Sequence, residues 1–293
     1  MLVCPATRRR LERVDGWLLA AGTGRRYPVI DGVPVLLADE AVVEEYLAEA
    51  GGAMAKEYLS PGRAVRARNA FDRWLLRRSA RSEAVDLAIR QVLHEQPAGA
   101  VCVSVGGGPD RWGEHIVNLN IGRFPGVDVV GDAFALPYAD DSVDAVLCWA
   151  VLEHLEFPER AVQEIFRVLR PGGQALACTP FLQAFHAYPN HFQNLTTIGQ
   201  ERMVARAGFD IVSAGPASGP SLALLDLATV FVRTYLPGRL VAGVLARALR
   251  LLILLAGPLD RRLMRGRDGH VLASSVFVHA RKPTLVAAPA ASK

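Results

Sequence analysis

Apolar positions along this chain fall into runs of two periods, and the change from one to the other marks its elements. The run from Val101 to Val105 is continuously apolar but for Ser104 and ends in Gly106-Gly107-Gly108. It predicts a buried strand whose exit turn lets backbone approach a ligand closely, because glycine has no Cβ. A short apolar strand leads into Asp132, a Leu136-Pro137-Tyr138 turn follows, and Ser142 to Cys148 predicts another buried strand. From Pro158 to Leu169 the period lengthens, with Ala161, Ile165, Val168 and Leu169 at helical spacing, until Pro171-Gly172-Gly173 breaks it. A strand over Ala175 to Cys178 comes next, then a short helix near Ile198 to Ala207, a strand after Gly208-Phe209, and an alternating last strand from Val271 to Ala280. Between those last two, Pro216 to Asp268 predicts a mostly helical apolar insertion.

The first 40 residues have their own pattern. Trp17-Leu18-Leu19, Tyr27 to Ile30 and Val33 to Leu37 predict short strands, with Asp31-Gly32 as a tight hairpin turn. Residues 41–96 predict helices, and residues 284–293 a disordered tail. The expected layout is a small β appendage over 1–40, a helical linker over 41–96, and a main domain over 97–283 that contains the insertion at 216–268.

Composition narrows this picture in a few places. At 293 residues, half of them hydrophobic, the chain can bury a substantial core. The net charge of +4 does not point to nucleic acid as a partner. From Arg233 to Lys282, however, ten Arg and Lys face only Asp260 and Asp268, which leaves about +8 on that segment. Cys4, Cys102, Cys148 and Cys178 are too few and scattered for a disulfide framework, and the last three fall in predicted core strands. Arg8-Arg9-Arg10 stands where an export signal would need an apolar run, so a cytoplasmic setting is expected, with peripheral membrane contact as the variant. Charged residues interrupt every candidate spanning run.

The ordered series VCVSVGGGP, VDVVGDAFALPYADDSVDAVLCWAVLEHL and RVLRPGG resembles the type 11 group of class I S-adenosylmethionine (SAM) dependent methyltransferases. A nicotinamide-binding turn is the competing reading, but Arg111 occupies the third glycine place of its G-x-G-x-x-G fingerprint. The resemblance implies an α/β fold, a Rossmann-like, mostly parallel sheet with an antiparallel final strand, and S-adenosyl-L-methionine as cofactor. It further implies that Gly106, Gly107 and Gly108 admit the cofactor with helix-start amides facing it, that Asp132 holds the adenine amino group and Ala133 adds a backbone amide, and that Leu152 lines the site. The ribose place falls on Asn120 and the acid before the glycines on Ser104; an amide has one acceptor oxygen where a carboxylate has two. Only nine residues, Gly107 to His115, separate the first two strands, so at most one helical turn is expected there.

His154 and His186 sit just beyond strand ends, where ligands bind in open α/β sheets, and each is a candidate general base. Glu153 is expected to orient or cap. The implied acceptor is an oxygen or nitrogen nucleophile on a small molecule, glycan or lipid. A non-catalytic SAM- or nucleoside-binding partner protein is the alternative that Asn120 and Ser104 motivate.

The N-terminal segment resembles a small zinc-ribbon family of methyltransferase activators through Cys4-Pro5 and Tyr27 to Leu37. Thr7, Ala20 and Thr23 occupy the other ligand places, so no metal is expected. In the insertion, Arg239, Arg247 and Arg250 share one helical face while Val241, Val244, Leu245, Leu252 and Leu255 share another. Such a helix either lies on an anionic membrane or forms a lid with its apolar stripe packed on the domain, and the lid is the expectation.

Overall fold

The computed structural model describes residues 2–39, 41–44, 81–108, 111–186 and 190–284. The expected helices between 45 and 80 and the tail beyond Thr284 lie outside the described residues.

The chain begins with four antiparallel strands, β1 (Leu11–Val14), β2 (Trp17–Ala20), β3 (Arg26–Ile30) and β4 (Val33–Leu36). Asp31 and Gly32 both adopt positive φ, 49° and 82°, which is the backbone that a two-residue hairpin of this hand requires and the reason an Asp-Gly pair sits there. Helix α1 (Glu83–Ile89) starts at Ser82, whose hydroxyl accepts from the Val85 N–H, and continues into a wider turn over Arg90–His94.

Then come β5 (Cys102–Val105), β6 (Ile116–Asn120), β7 (Val129–Gly131), β8 (Val143–Trp149), α2 (Pro158–Val168), β9 (Leu169–Pro180), α3 (Thr197–Arg206), β10 (Asp210–Ser218), α4 (Pro220–Tyr235), α5 (Arg239–Arg265) and β11 (Ser275–Arg281). The sheet runs β7-β6-β5-β8-β9 in parallel, and the antiparallel pair β11-β10 follows at its far side. This is the Rossmann-like sheet the resemblance implied. Strands β5 and β8 are buried along nearly their whole length because helices cover both faces of a parallel sheet.

Three expectations change. The first is that β1–β4 are not a separate appendage: β4 pairs in parallel with β7, Val35 opposite Val130 and Leu36 opposite Gly131, so the sheet is continuous over eleven strands. Cys4, Tyr27 and Leu36 enter the same core as Leu119, Leu136 and Tyr138, and the Cys4 Sγ lies 3.0 Å from the Tyr27 hydroxyl.

The second concerns the helix start expected beside the glycine turn: the described residues of the β5–β6 connection, where at most one helical turn was expected, contain none. The sheet face that a crossover helix would cover is instead closed by Val85, Ile89, Val92 and Leu93 together with Trp112, whose ring lies 5.3 Å from that of Trp149. The third concerns α5. Its predicted apolar stripe, Val241, Val244, Leu245, Leu252 and Leu255, is exposed throughout. The face that packs inward holds Ala242, Ala246 and Ile253, small or medium residues that let α5 approach α4 closely. The lid expectation, which required the stripe to be buried, therefore fails on orientation.

Candidate functional site

At the C-terminal end of β5 the chain turns sharply. Gly106 and Gly108 have φ of 74° and 58°, the left-handed region that glycine enters without Cβ strain. A side chain at Gly106 would collide with Val151, whereas the space beside Gly108 is open. Gly107 sits against Ser104 and Asn118, leaving no room for a Cβ there either. The helix-start amides expected beside this turn are absent among the described residues, since no helix follows β5.

Asn118 holds this turn in place. Its Nδ2 donates to the carbonyls of Gly108 and Gly126, at 2.9 and 3.0 Å, and its backbone N–H donates to Asp128 at 2.8 Å. Arg111 in turn bridges to Asp128 and the Gly126 carbonyl. Sequence reading passed over Asn118; the signal was a polar residue in the middle of β6, opposite Ser104 in the pairing. Ser104 and Asn118 each leave a buried oxygen, Oγ and Oδ1, without a hydrogen-bond partner. A polar ligand at the glycine turn would satisfy them.

Asn120 closes β6 and is nearly buried, and its Oδ1 accepts from the Gly122 N–H at 3.0 Å. Its single acceptor oxygen is thus engaged within the loop. Asp132 follows β7; its Oδ1 accepts from the Phe134 N–H at 2.9 Å, and burial raises its pKa above the usual carboxylate value. Ala133 lies beside it, half-buried against the main core. Leu152 is fully buried in that core, so its side chain supports the site from beneath and does not line it.

Beyond β8, Ala150 takes a φ of 55°, unusual for a residue with a Cβ, and turns the chain into the short helical turn Leu152–His154. Glu153 is almost wholly buried, and neither carboxylate oxygen accepts a hydrogen bond. Burial pushes its pKa up to about 7. The expected capping role does not hold. Its Oε1 faces His154 Nε2 across 3.8 Å, too far for a hydrogen bond.

His154 Nδ1 lies 2.6 Å from the Asn190 carbonyl, and His186 Nδ1 lies 2.9 Å from that of Ala184. Each ring therefore donates from Nδ1 and leaves Nε2 as an acceptor. Their ring centroids are 5.3 Å apart, and the His191 ring lies 4.2 Å from that of His186, tilted to it by 48°, with its own Nε2 toward Asn194. The two candidate histidines are thus brought together, and with Glu153 they hold one ligand atom each within 4.8 Å of one another. That spacing suits hydrogen bonding to one polar group, and a divalent cation could bridge it as well.

Residues 114–177 match a family model described as a methyltransferase domain. Over 112 residues the chain is 38% identical to a protein of Mycolicibacterium smegmatis named as a probable S-adenosylmethionine-dependent methyltransferase, covering 36% of this chain and 44% of the relative. Over 64 residues it is 48% identical to a malonyl-[acyl-carrier protein] O-methyltransferase of Methylococcus capsulatus, covering 20% and 23%. Residues 114–177 thus carry the pattern of a methyltransferase domain. The chain spans less than half the length of these two curated relatives. Among solved structures it is similar to an S-adenosylmethionine-dependent methyltransferase of Mesorhizobium loti, at 17% identity and a TM-score of 0.40, over 67% of this chain and 96% of the other. The glycine turn, Asp132 and the histidine pair all lie at the C-terminal ends of β5, β7, β8 and β9, the edge where open α/β sheets bind ligands.

Proposed function

We propose that the chain transfers a methyl group from S-adenosylmethionine to an oxygen or nitrogen nucleophile of a small-molecule, glycan or lipid acceptor. The observation that carries this is the convergence at one sheet edge of a glycine turn, with open space beside Gly108, and the adjoining rings of His154 and His186. SAM supplies an activated methyl on a sulfonium centre, so the protein's task is alignment and proton removal. Gly106 to Gly108 and the unpartnered oxygens of Ser104 and Asn118 fit the polar part of such a cofactor, and Asp132 fits its adenine amino group. His186 Nε2, held as an acceptor by the Ala184 carbonyl, orients the nucleophile's hydrogen, and His154 Nε2 is positioned to share that work.

Calorimetry with SAM and S-adenosylhomocysteine tests the cofactor half of this reading. Binding of both is expected, with roughly a tenfold or greater loss on Asp132→Ala, since an adenine hydrogen bond to a charged group is worth about 1.5–3 kcal/mol. No binding of either ligand at millimolar concentration would sink it. A second reading, a non-catalytic nucleoside-binding protein, draws on Asn120, whose acceptor oxygen is already taken by Gly122. Methyl transfer to any acceptor in a panel of hydroxyl and amine compounds, abolished by His186→Asn with SAM affinity unchanged, separates the two.

A further inference from the structure

Helices α4 and α5 form a hairpin that stands out from the sheet. They meet through Val232, Ala242 and Ala246 near the tip and Leu222 and Ile253 near the base. What the hairpin turns outward is apolar. Tyr235 is 71% exposed, Leu240 87%, Val244 65% and Leu255 76%, and Phe231 and Leu259 join them. Scattered apolar residues on a surface need no explanation, but a continuous face of this kind marks a docking surface.

The charges say what it docks on. In the first half of α5, Leu240, Val244 and Leu251 fall within about 40° around the helix, and Arg239 and Arg247 within about 80°, on the flank next to them. The one acid of α5, Asp260, is buried and accepts from the backbone N–H groups of Ser221 and Leu222, where it caps α4. The cationic flank thus has no carboxylate on its own helix. A second copy docked face to face would set arginine flank beside arginine flank. An anionic bilayer offers hydrocarbon to the leucines and phosphates to the arginines at the right relative depth. No single described helix is long and apolar enough to cross a membrane, and the two halves of α5, Arg239–Ile253 and Leu255–Arg265, meet at 52°. The hairpin is therefore suited to lie in the interface.

We propose that the exposed face of α4 and α5 docks the protein on an anionic phospholipid surface.

Co-sedimentation with vesicles of phosphatidylcholine alone, or mixed with phosphatidylglycerol, tests this. The intact protein should pellet with the mixed vesicles at low salt and bind them about tenfold more weakly in half-molar salt. Leu240→Glu with Val244→Glu should lower binding at least about tenfold, and Arg239→Gln with Arg247→Gln should remove the preference for the anionic lipid. These positions are exposed, so the variants should fold, and calorimetry with SAM on the same samples reports the cofactor site independently. Wild-type protein that stays in the supernatant with mixed vesicles overturns the proposal. So does a dimer in solution that the Leu240 and Val244 changes dissolve while vesicle binding is absent, which would make a second copy the occupant.

Discussion

Burial of His279 in β11 makes the fold sensitive to acid. The ring is 1% exposed, Nε2 donates to Gln174 Oε1 at 2.8 Å, and Nδ1 is buried without a partner. Desolvation, with Arg281 adding to it, lowers its pKa to about 4. An unfolded chain protonates this histidine near pH 6.5, so between about 6.5 and 4 the unfolded state binds more protons than the folded one. Stability is therefore full above pH 6.5 and falls as the pH drops toward 4, by up to about 3 kcal/mol from this group. Urea unfolding at pH 7.5 and pH 5 should show the loss, and His279→Gln should flatten that part of the profile. An unchanged slope in the variant would assign the acid sensitivity elsewhere. At Asn120 the prediction concerns the cofactor: Asn120→Asp should tighten SAM binding a few-fold, because a carboxylate keeps one oxygen for Gly122 and frees the other for ribose hydroxyls. Weaker binding in the variant would show that the ribose lies elsewhere. Among single residues, the glycine turn was legible because its positive φ at Gly106 and Gly108 is backbone that glycine enters without strain. Asn118 and the buried state of Glu153 were not, since a polar residue's partners depend on strands and loops far away in sequence.

At the scale of elements, periodicity located most helices and strands, and misjudged which face of α5 looks inward. Apolar residues on a helix face ordinarily pack inward, and nothing local shows that small residues, Ala242 and Ala246, make the contact here instead. The missing β5–β6 helix was partly visible as a short connection, while its replacement by α1 and Trp112 arises from residues on either side of the glycine turn. The N-terminal strands make a prediction of their own. Cys4 Sγ faces the Tyr27 hydroxyl and the Thr7 N–H, contacts of a packed thiol, and Thr7, Ala20 and Thr23 offer no metal-binding nitrogen or thiolate. Elemental analysis should find no stoichiometric zinc; one zinc per chain, lost on Cys4→Ser, would require ligands not yet identified.

For the molecule as a whole, the continuous sheet decides whether the N-terminus is detachable. β4 saturates the edge of β7, a strand of only three residues, and Tyr27 and Leu36 are among the largest fully buried side chains. Removing residues 1–37 would uncover Val129 and Val130, open a parallel edge to other chains, and delete two side chains whose burial is worth about 1.5–3 kcal/mol each. Against a typical total of about 5–15 kcal/mol, that loss threatens the fold itself. The truncated chain should be insoluble or bind SAM no better than unfolded protein, even though every candidate site residue remains. Point variants keep the test readable where the truncation fails to express. Leu36→Ala should cost about 2–5 kcal/mol, whereas Leu19→Ala, on the exposed side of β2, should stay within about 0.5 kcal/mol. A truncated protein with an unchanged melting temperature and intact SAM binding would show that β4 merely rests on β7, and that the methyltransferase sheet is complete without it.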